Sequence, residues 1–349
     1  MLRQILSRHL NILRRHFTSN NLASSTNMST CIHPNLRGVF VGSGSDGMSQ
    51  PQVSETILKL LPDKKADSSI NVLYVGTATY DLAAFRERQT QCFVEKGCTI
   101  SSLDVALKDD PNAPNLIRGA DIIIVSGGNT LYAVDRWNKL GLSQHFRSAM
   151  ERGAVLTGGS AGAICWFDGG HSDSMDPDTY KNPMLKAFGE IECTGSDESS
   201  SLGQETKDWK YIRVNCLGLL PGLVCPHHDR VQSNGVLRAI DFDAMLLRHP
   251  GELGICIDHW AALCITGEEY FVLSLAGKTG SVVQDEMRKE PYFSPNDGLP
   301  GIWIKEVKDG QVTTTICPEK GKIKDLLRAA TKILEDTNVD RCRSENPSS

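Results

Sequence analysis

The chain has 349 residues, 40% hydrophobic and 23% charged, the balance of a globular protein long enough for one large domain or two modest ones. A formal net charge of -5 gives no electrostatic reason to bind nucleic acid, and no apolar run approaches the roughly 20 residues that span a bilayer. Its 11 cysteines show no C-x-x-C pair, zinc-like spacing or secretory signal, which fits reduced thiols inside a cell; Cys225, Cys256 and Cys264 lie in apolar, strand-like runs and read as packing residues.

Residues 1–30 form a segment apart. Arg3, Arg8, Arg14 and Arg15 are unopposed, since the first acidic residue is Asp46. Leu2, Ile5, Leu6, Leu10, Leu13 and Phe17 recur at helical spacing, and Ser, Thr and Asn dominate from Thr18 to Thr30. An amphipathic, arginine-rich, acid-free start is the pattern of a mitochondrial presequence. Met28 is placed to serve as a second start that would give a cytoplasmic form.

From Arg37 onward short apolar runs alternate with helical patterns. Strands are predicted at 38–42, 71–76, 99–105, 121–125 and 153–157, with helices at 52–61, 82–96, 130–140 and 144–152 between them. Continuously apolar strands separated by helices imply a mostly parallel sheet covered on both faces. Ligands of such α/β sheets sit beyond the carboxyl ends of the strands. The loops Gly42-Ser43-Gly44-Ser45, Gly127-Gly128-Asn129-Thr130 and Gly158-Gly159-Ser160 are expected to converge there. Asn129 is a candidate to contact substrate, and Asn129 or Thr130 also to cap the helix that follows. Residues 194–208 read as a polar surface loop. A buried strand then runs to Cys225, a helix covers 235–247, strands cover 254–258, 261–266 and 270–275, and a hairpin joins 302–307 to 312–316. A C-terminal helix is expected over 323–335. The division is thus a presequence-like segment 1–30, one α/β domain 31–320, and a tail 321–349.

Gly158-Gly159-Ser160-Ala161-Gly162 fits the G-x-S-x-G nucleophile elbow, entered from a strand and left by a helix. Glycines permit the sharp turn, and the helix start directs amides at the place where an oxyanion would form. A serine needs a base. His227 is placed for it at the end of the Leu219–Cys225 run; His228 should face the other way, and His171 competes from the stretch after the elbow. That stretch, read as a loop, offers Asp168, Asp173 and Asp176 as the acid that would orient the histidine, and spacing alone does not choose among them.

With Gly127–Thr130, Gly158–Ala163, Gly218–Gly222, Pro226-His227 and Gly254–Asp258 in this order, the chain resembles peptidase family S51 from about residue 37 to 276. The family includes aspartyl dipeptidases and cyanophycinases. The resemblance implies a three-layer, flavodoxin-like fold related to class I glutamine amidotransferases, carrying C-terminal hairpins. It implies Ser160 as nucleophile, His227 as base, Asp173 as the nearest match to the acid, and the Gly128 and Ala161 amides as the oxyanion hole. It implies a short peptide substrate, dipeptides with an N-terminal aspartate first, and no metal or organic cofactor. An arginine after the histidine would bind the substrate carboxylate; Arg230 and Arg238 are the candidates, with Arg238 expected on a helix surface. Residues 186–213 are an addition that would reshape the substrate site or make a homodimer contact. Isopeptide or other amide hydrolysis, and a silent scaffold of the same fold, are the alternatives.

Mature N-termini mapped by terminal proteomics are expected to include cleaved forms or a Met28 start. Recovery of only intact Met1-initiated chains would rule out both readings of the first 30 residues.

Overall fold

The computed structural model describes residues 32–62, 69–187, 189, 207–281 and 298–327. The presequence-like segment, most of the 194–208 stretch and all but the start of the C-terminal helix lie outside the described residues.

The first half alternates as predicted. Strands β1 (Arg37–Val41), β2 (Asn71–Val75), β3 (Thr99–Leu103), β4 (Ile122–Val125) and β5 (Val155–Gly159) are separated by helices. These are α1 (Ser45–Met48), α2 (Pro51–Lys59), α3 (Ala83–Glu95), α4 (Ala113–Gly119), α5 (Thr130–Lys139) and α6 (Ser143–Glu151). Helices α1 and α4 were not foreseen. In α4, Pro114 sits in the first turn, where no intrahelical donor is lost.

The second half begins at the elbow with α7 (Ala161–Ile164), β6 (Phe167–Ser172), α8 (Lys181–Ala187), β7 (Ile212–Asn215) and β8 (Leu220–Cys225). It continues with α9 (Arg238–Arg248), β9 (Gly254–Ile257), β10 (Ala261–Thr266), β11 (Glu269–Ser274), β12 (Ile302–Lys308), β13 (Gln311–Ile316), β14 (Lys320–Lys322) and α10 (Ile323–Leu326).

The strands form two sheets where one was expected. One has the order β14-β11-β10-β1-β5-β4-β2-β3, the other β13-β12-β9-β8-β6-β7. Each has a parallel run, β1-β5-β4-β2-β3 and β6-β8-β9, continued by antiparallel strands at one margin of the first sheet and at both margins of the second. The chain crosses between sheets four times: from β5 to β6 through the elbow, from β9 to β10 through Asp258-His259-Trp260, from β11 to β12, and from β13 to β14.

Alternation along the strands decides what they bury. Phe40, Leu73, Val75, Ile123 and Val125 face the apolar layer shared with Val224, Ile255 and Ile302 of the second sheet. Their neighbours Val39, Val41, Val72, Tyr74, Ile122 and Ile124 face the opposite way, against Val53 and Ile57 of α2 and Phe93 of α3. Both faces are therefore dry, which is why these strands carry no polar alternation. The outer face of the second sheet is closed by Phe242, Met245 and Leu246 of α9 against Leu223, Cys225, Cys256 and Trp303. No helix of the described residues is long and apolar enough to cross a membrane.

The stretch after the elbow corrects the sequence reading. Asp168–Ser172 is the strand β6 and not a loop. Its glycines looked like loop residues, but Gly170 is a packing requirement: a Cβ there would lie 2.3 Å from Ile164 Cγ2. The helix leaving the elbow is also a single turn, too short to sum much of a dipole.

Phe40 of β1 and Phe167 of β6 meet edge to face across the shared layer, with centroids 5.1 Å apart. Phe40→Ala is expected to cost about 3–5 kcal/mol, read as a fall in the urea midpoint. A midpoint within error of wild type would show that the two sheets do not depend on this contact.

Candidate active site

The carboxyl ends of β1, β4, β5, β8 and β9 supply the site. Ser160 N–H donates to Val41 O at 3.1 Å, and His227 N–H donates to Gly42 O at the same distance. Consecutive carbonyls at the end of β1 therefore hold both residues, although Ser160 follows a strand of one sheet and His227 a strand of the other. Gly44 and Gly127 close around the serine: a Cβ built on either would lie 3.8 or 3.5 Å from Ser160 Cβ. The three polar loops thus meet as their positions suggested.

Both residues are held in unusual backbone. Ser160 has φ 56° and ψ -118°, and His227 has φ 49°. Side chains with a β-carbon pay for such angles, and the surrounding structure must over-determine them. The turn comes close enough to β1 to demand glycine, since a Cβ on Gly159 would fall 1.9 Å from Ser43 O. Ser160 is buried, at 8% exposure. The Ala161 amide is the first of α7, a donor with no acceptor within its own helix. Gly128 has φ 115° and packs against Ala78 O, where a Cβ would lie at 2.4 Å.

Asn129 is fully buried and caps α5, its Oδ1 accepting the Tyr132 amide at 2.9 Å. Its Nδ2 donates to Ser174 O and Thr179 Oγ1, both at 3.0 Å. These bonds tie the Gly127–Thr130 loop to the segment after β6.

None of the three sequence-nominated carboxylates is hydrogen-bonded to His227. Asp168 accepts the Gly222 amide at 3.1 Å. Asp176 caps the turn Pro177–Thr179 and accepts Ser233 Oγ–H at 2.7 Å. Asp173 accepts Gln232 Nε2 at 3.2 Å and lies 3.5 Å from an Arg238 guanidinium nitrogen. The partner of the His227 ring is His259, with an Nδ1–Nδ1 distance of 2.9 Å. Sequence reading passed over His259, though the rule that selected His227 applies to it as well: it follows the carboxyl end of a buried parallel strand. Burial lowers the His227 pKa well below the ordinary histidine range, reinforced by the positive fields of Arg238 and Arg230.

His228 faces elsewhere, as expected, with Nδ1 3.2 Å from Asp258 Oδ1. His171 is fully buried; its Nε2 lies 2.8 Å from Asp241 and its ring stacks on Tyr211. Arg238 is the clearest departure from expectation. It is not a surface residue but 0% exposed, donating to His171 Nδ1 and O, to Gln232 Oε1, and lying over Tyr211. Its position in the first turn of α9 points it under the sheet, and the charge is matched by Asp173. Arg230 remains beside the site with a buried Nε that has no hydrogen-bond partner.

The sequence pattern of peptidase family S51 matches residues 39–273. A Trypanosoma brucei brucei protein named G2/mitotic-specific cyclin-1 is 31% identical over 312 residues, covering 84% of this chain and 88% of its own. An uncharacterised peptidase of Bacillus subtilis strain 168, YgaJ, is 26% identical over 190 residues, 54% of this chain and 68% of its own. A crystal structure of a peptidase from an acI-B1 Actinobacterium superposes with a TM-score of 0.52 at 17% identity, over 84% of this chain and 98% of its own, a likeness of fold.

Arg238→Met is expected to destabilise the protein by about 3 kcal/mol or more, because Asp173 and His171 would lose a buried partner. Chemical denaturation checks this; an unchanged midpoint would mean the network is not a structural support.

Proposed function

The chain belongs to peptidase family S51, and from that premise we propose that it is a serine peptidase cleaving short peptides, dipeptides with an N-terminal aspartate first among them. The observation that carries the reading is the pairing of Ser160 and His227 on consecutive carbonyls at the end of β1, both in strained backbone. Ser160 Oγ attacks the carbonyl carbon of the scissile bond while its proton passes to His227 Nε2. The tetrahedral oxyanion is held by the amides of Gly128 and Ala161. Collapse expels the amine, which takes the proton from His227, and leaves an acyl-Ser160 ester. Water, deprotonated by the same histidine, then releases the acid.

Two further features support the assignment. The depressed pKa of His227 keeps its imidazole neutral and able to accept a proton at physiological pH. Arg230, adjacent in the loop and with an unpartnered Nε, is the cation proposed to pair with the aspartyl side chain of the substrate.

Ser160→Ala is expected to lose at least about 10³-fold in kcat and all labelling by a fluorophosphonate probe, which phosphonylates an activated serine with loss of fluoride. Since only neutral His227 can accept the proton, kcat/KM should fall on acidification at a pH below about 6.5. A panel of α-aspartyl, β-aspartyl and glutamyl dipeptides checks the substrate. Retained hydrolysis in Ser160→Ala would remove the serine mechanism, and cleavage confined to β-aspartyl bonds would replace the dipeptide assignment with isopeptide hydrolysis.

A further inference from the structure

A histidine base works only in one tautomer. To take a proton at Nε2 it must carry its own on Nδ1, and that N–H needs an acceptor. Here the acceptor is another imidazole. His227 Nδ1 and His259 Nδ1 stand 2.9 Å apart with the rings tilted at 47°. Two nitrogens at that distance share one hydrogen, so one ring donates and the other accepts. On the far side of the His259 ring, Nε2 lies 3.5 Å from Asp46 Oδ2. A carboxylate there favours the proton on Nε2, which leaves a lone pair on His259 Nδ1.

We propose that His259, backed by Asp46, is the positioning residue that holds His227 in its Nδ1–H tautomer, doing with a second imidazole what a triad carboxylate does. This rests on the proposed serine peptidase reading. His259 neither gains nor loses a proton in the cycle: His227 donates Nδ1–H throughout, takes the Ser160 proton at Nε2 and returns it to the leaving amine.

The surroundings fix both rings. His259 N–H donates to Asp229 Oδ1 at 2.7 Å, and His228 N–H donates to Ile257 O at 3.1 Å. Together with the His228–Asp258 pair these bonds hold the 227–229 and 258–259 segments side by side. The His259 ring packs edge-on to Trp260, whose indole carries Lys278 4.3 Å from its centroid. Asp46 is steadied by Arg88 at 2.9 Å, and its pKa is lowered chiefly by the hydrogen bond from His259. The charged groups facing the two rings are therefore Asp46, Asp229, Arg88 and Lys278 about His259, and Arg230 and Arg238 about His227.

The test reads tautomers and reactivity separately on the full chain. Long-range proton–nitrogen correlation spectra of 15N-histidine-labelled protein should show His227 as Nδ1–H and His259 as Nε2–H. His259→Phe, which keeps a ring but offers no acceptor, should abolish that preference at His227 and slow fluorophosphonate labelling of Ser160 by about 10²-fold. His259→Gln restores an acceptor and should recover part of the rate. Asp46→Asn, at a half-exposed position that folding tolerates, should loosen the His259 tautomer and slow labelling about tenfold. His259→Glu puts a carboxylate directly on Nδ1–H, so the His227 pKa should rise and the acid limb of the labelling rate should move upward by about one pH unit. His227 observed as Nε2–H, or a tautomer unmoved by His259→Phe but lost in Asp173→Asn, would overturn the proposal and return the role to Asp173. Failure of the wild type to label would instead strike the serine reading, with the tautomer result standing on its own.

Discussion

Two neighbouring carbonyls, Val41 O and Gly42 O, are the constraint on which the site depends. They lie at the carboxyl end of β1, and each accepts one amide, from Ser160 and from His227. Backbone bonds set the relative height of the two residues before any side chain contributes. Gly42 itself is fastened by its own amide to Ala261 O, so the acceptor pair is pinned from the neighbouring strand. Positive φ angles at both residues are what this attachment costs, and the packing of two sheets around β1 sustains them.

Much of this architecture was legible because it is local. The alternation of apolar runs and helices gave β1 to β5 to within two residues, and the position of a serine between glycines after a strand gave the elbow. What escaped were features governed by distant partners. Asp168-Gly169-Gly170 looked like a loop because glycine is ordinarily a strand breaker; it is a strand because Ile164 packs where a side chain would stand. Arg238 looked like a surface residue because helical arginines usually are, and the acidic and histidine partners that let it be buried come from β6 and the segment after it, more than 60 residues earlier. His259 escaped because the search was for a carboxylate, while the ring facing His227 is another imidazole. Spacing along the chain carries no information about which of several acids or bases will face a given histidine.

Two clusters of buried polar groups stand out among the described residues. His171, Arg238, Asp173, Asp241 and Gln232 satisfy one another beneath α9. Asp258 gathers His228, Ser281 Oγ, the Gly301 amide and the Trp303 indole, fastening the β12 hairpin to the loop that bears His227. Most of their polar atoms find partners, which is what burial demands, although His228 Nε2 has none.

Ser160 hangs from the first sheet and His227 from the second, so their alignment belongs to neither. It is kept by the two bonds to the end of β1, and these hold only while the sheets keep their position against each other, through side chains such as Phe40 and Phe167. Strand pairing inside each sheet can survive while that register is lost, as in compact states that keep secondary structure but not fixed packing. The proposed Ser160–His227 chemistry would therefore be a gauge of interlayer shear, lost while far-ultraviolet dichroism still reports an intact pair of sheets.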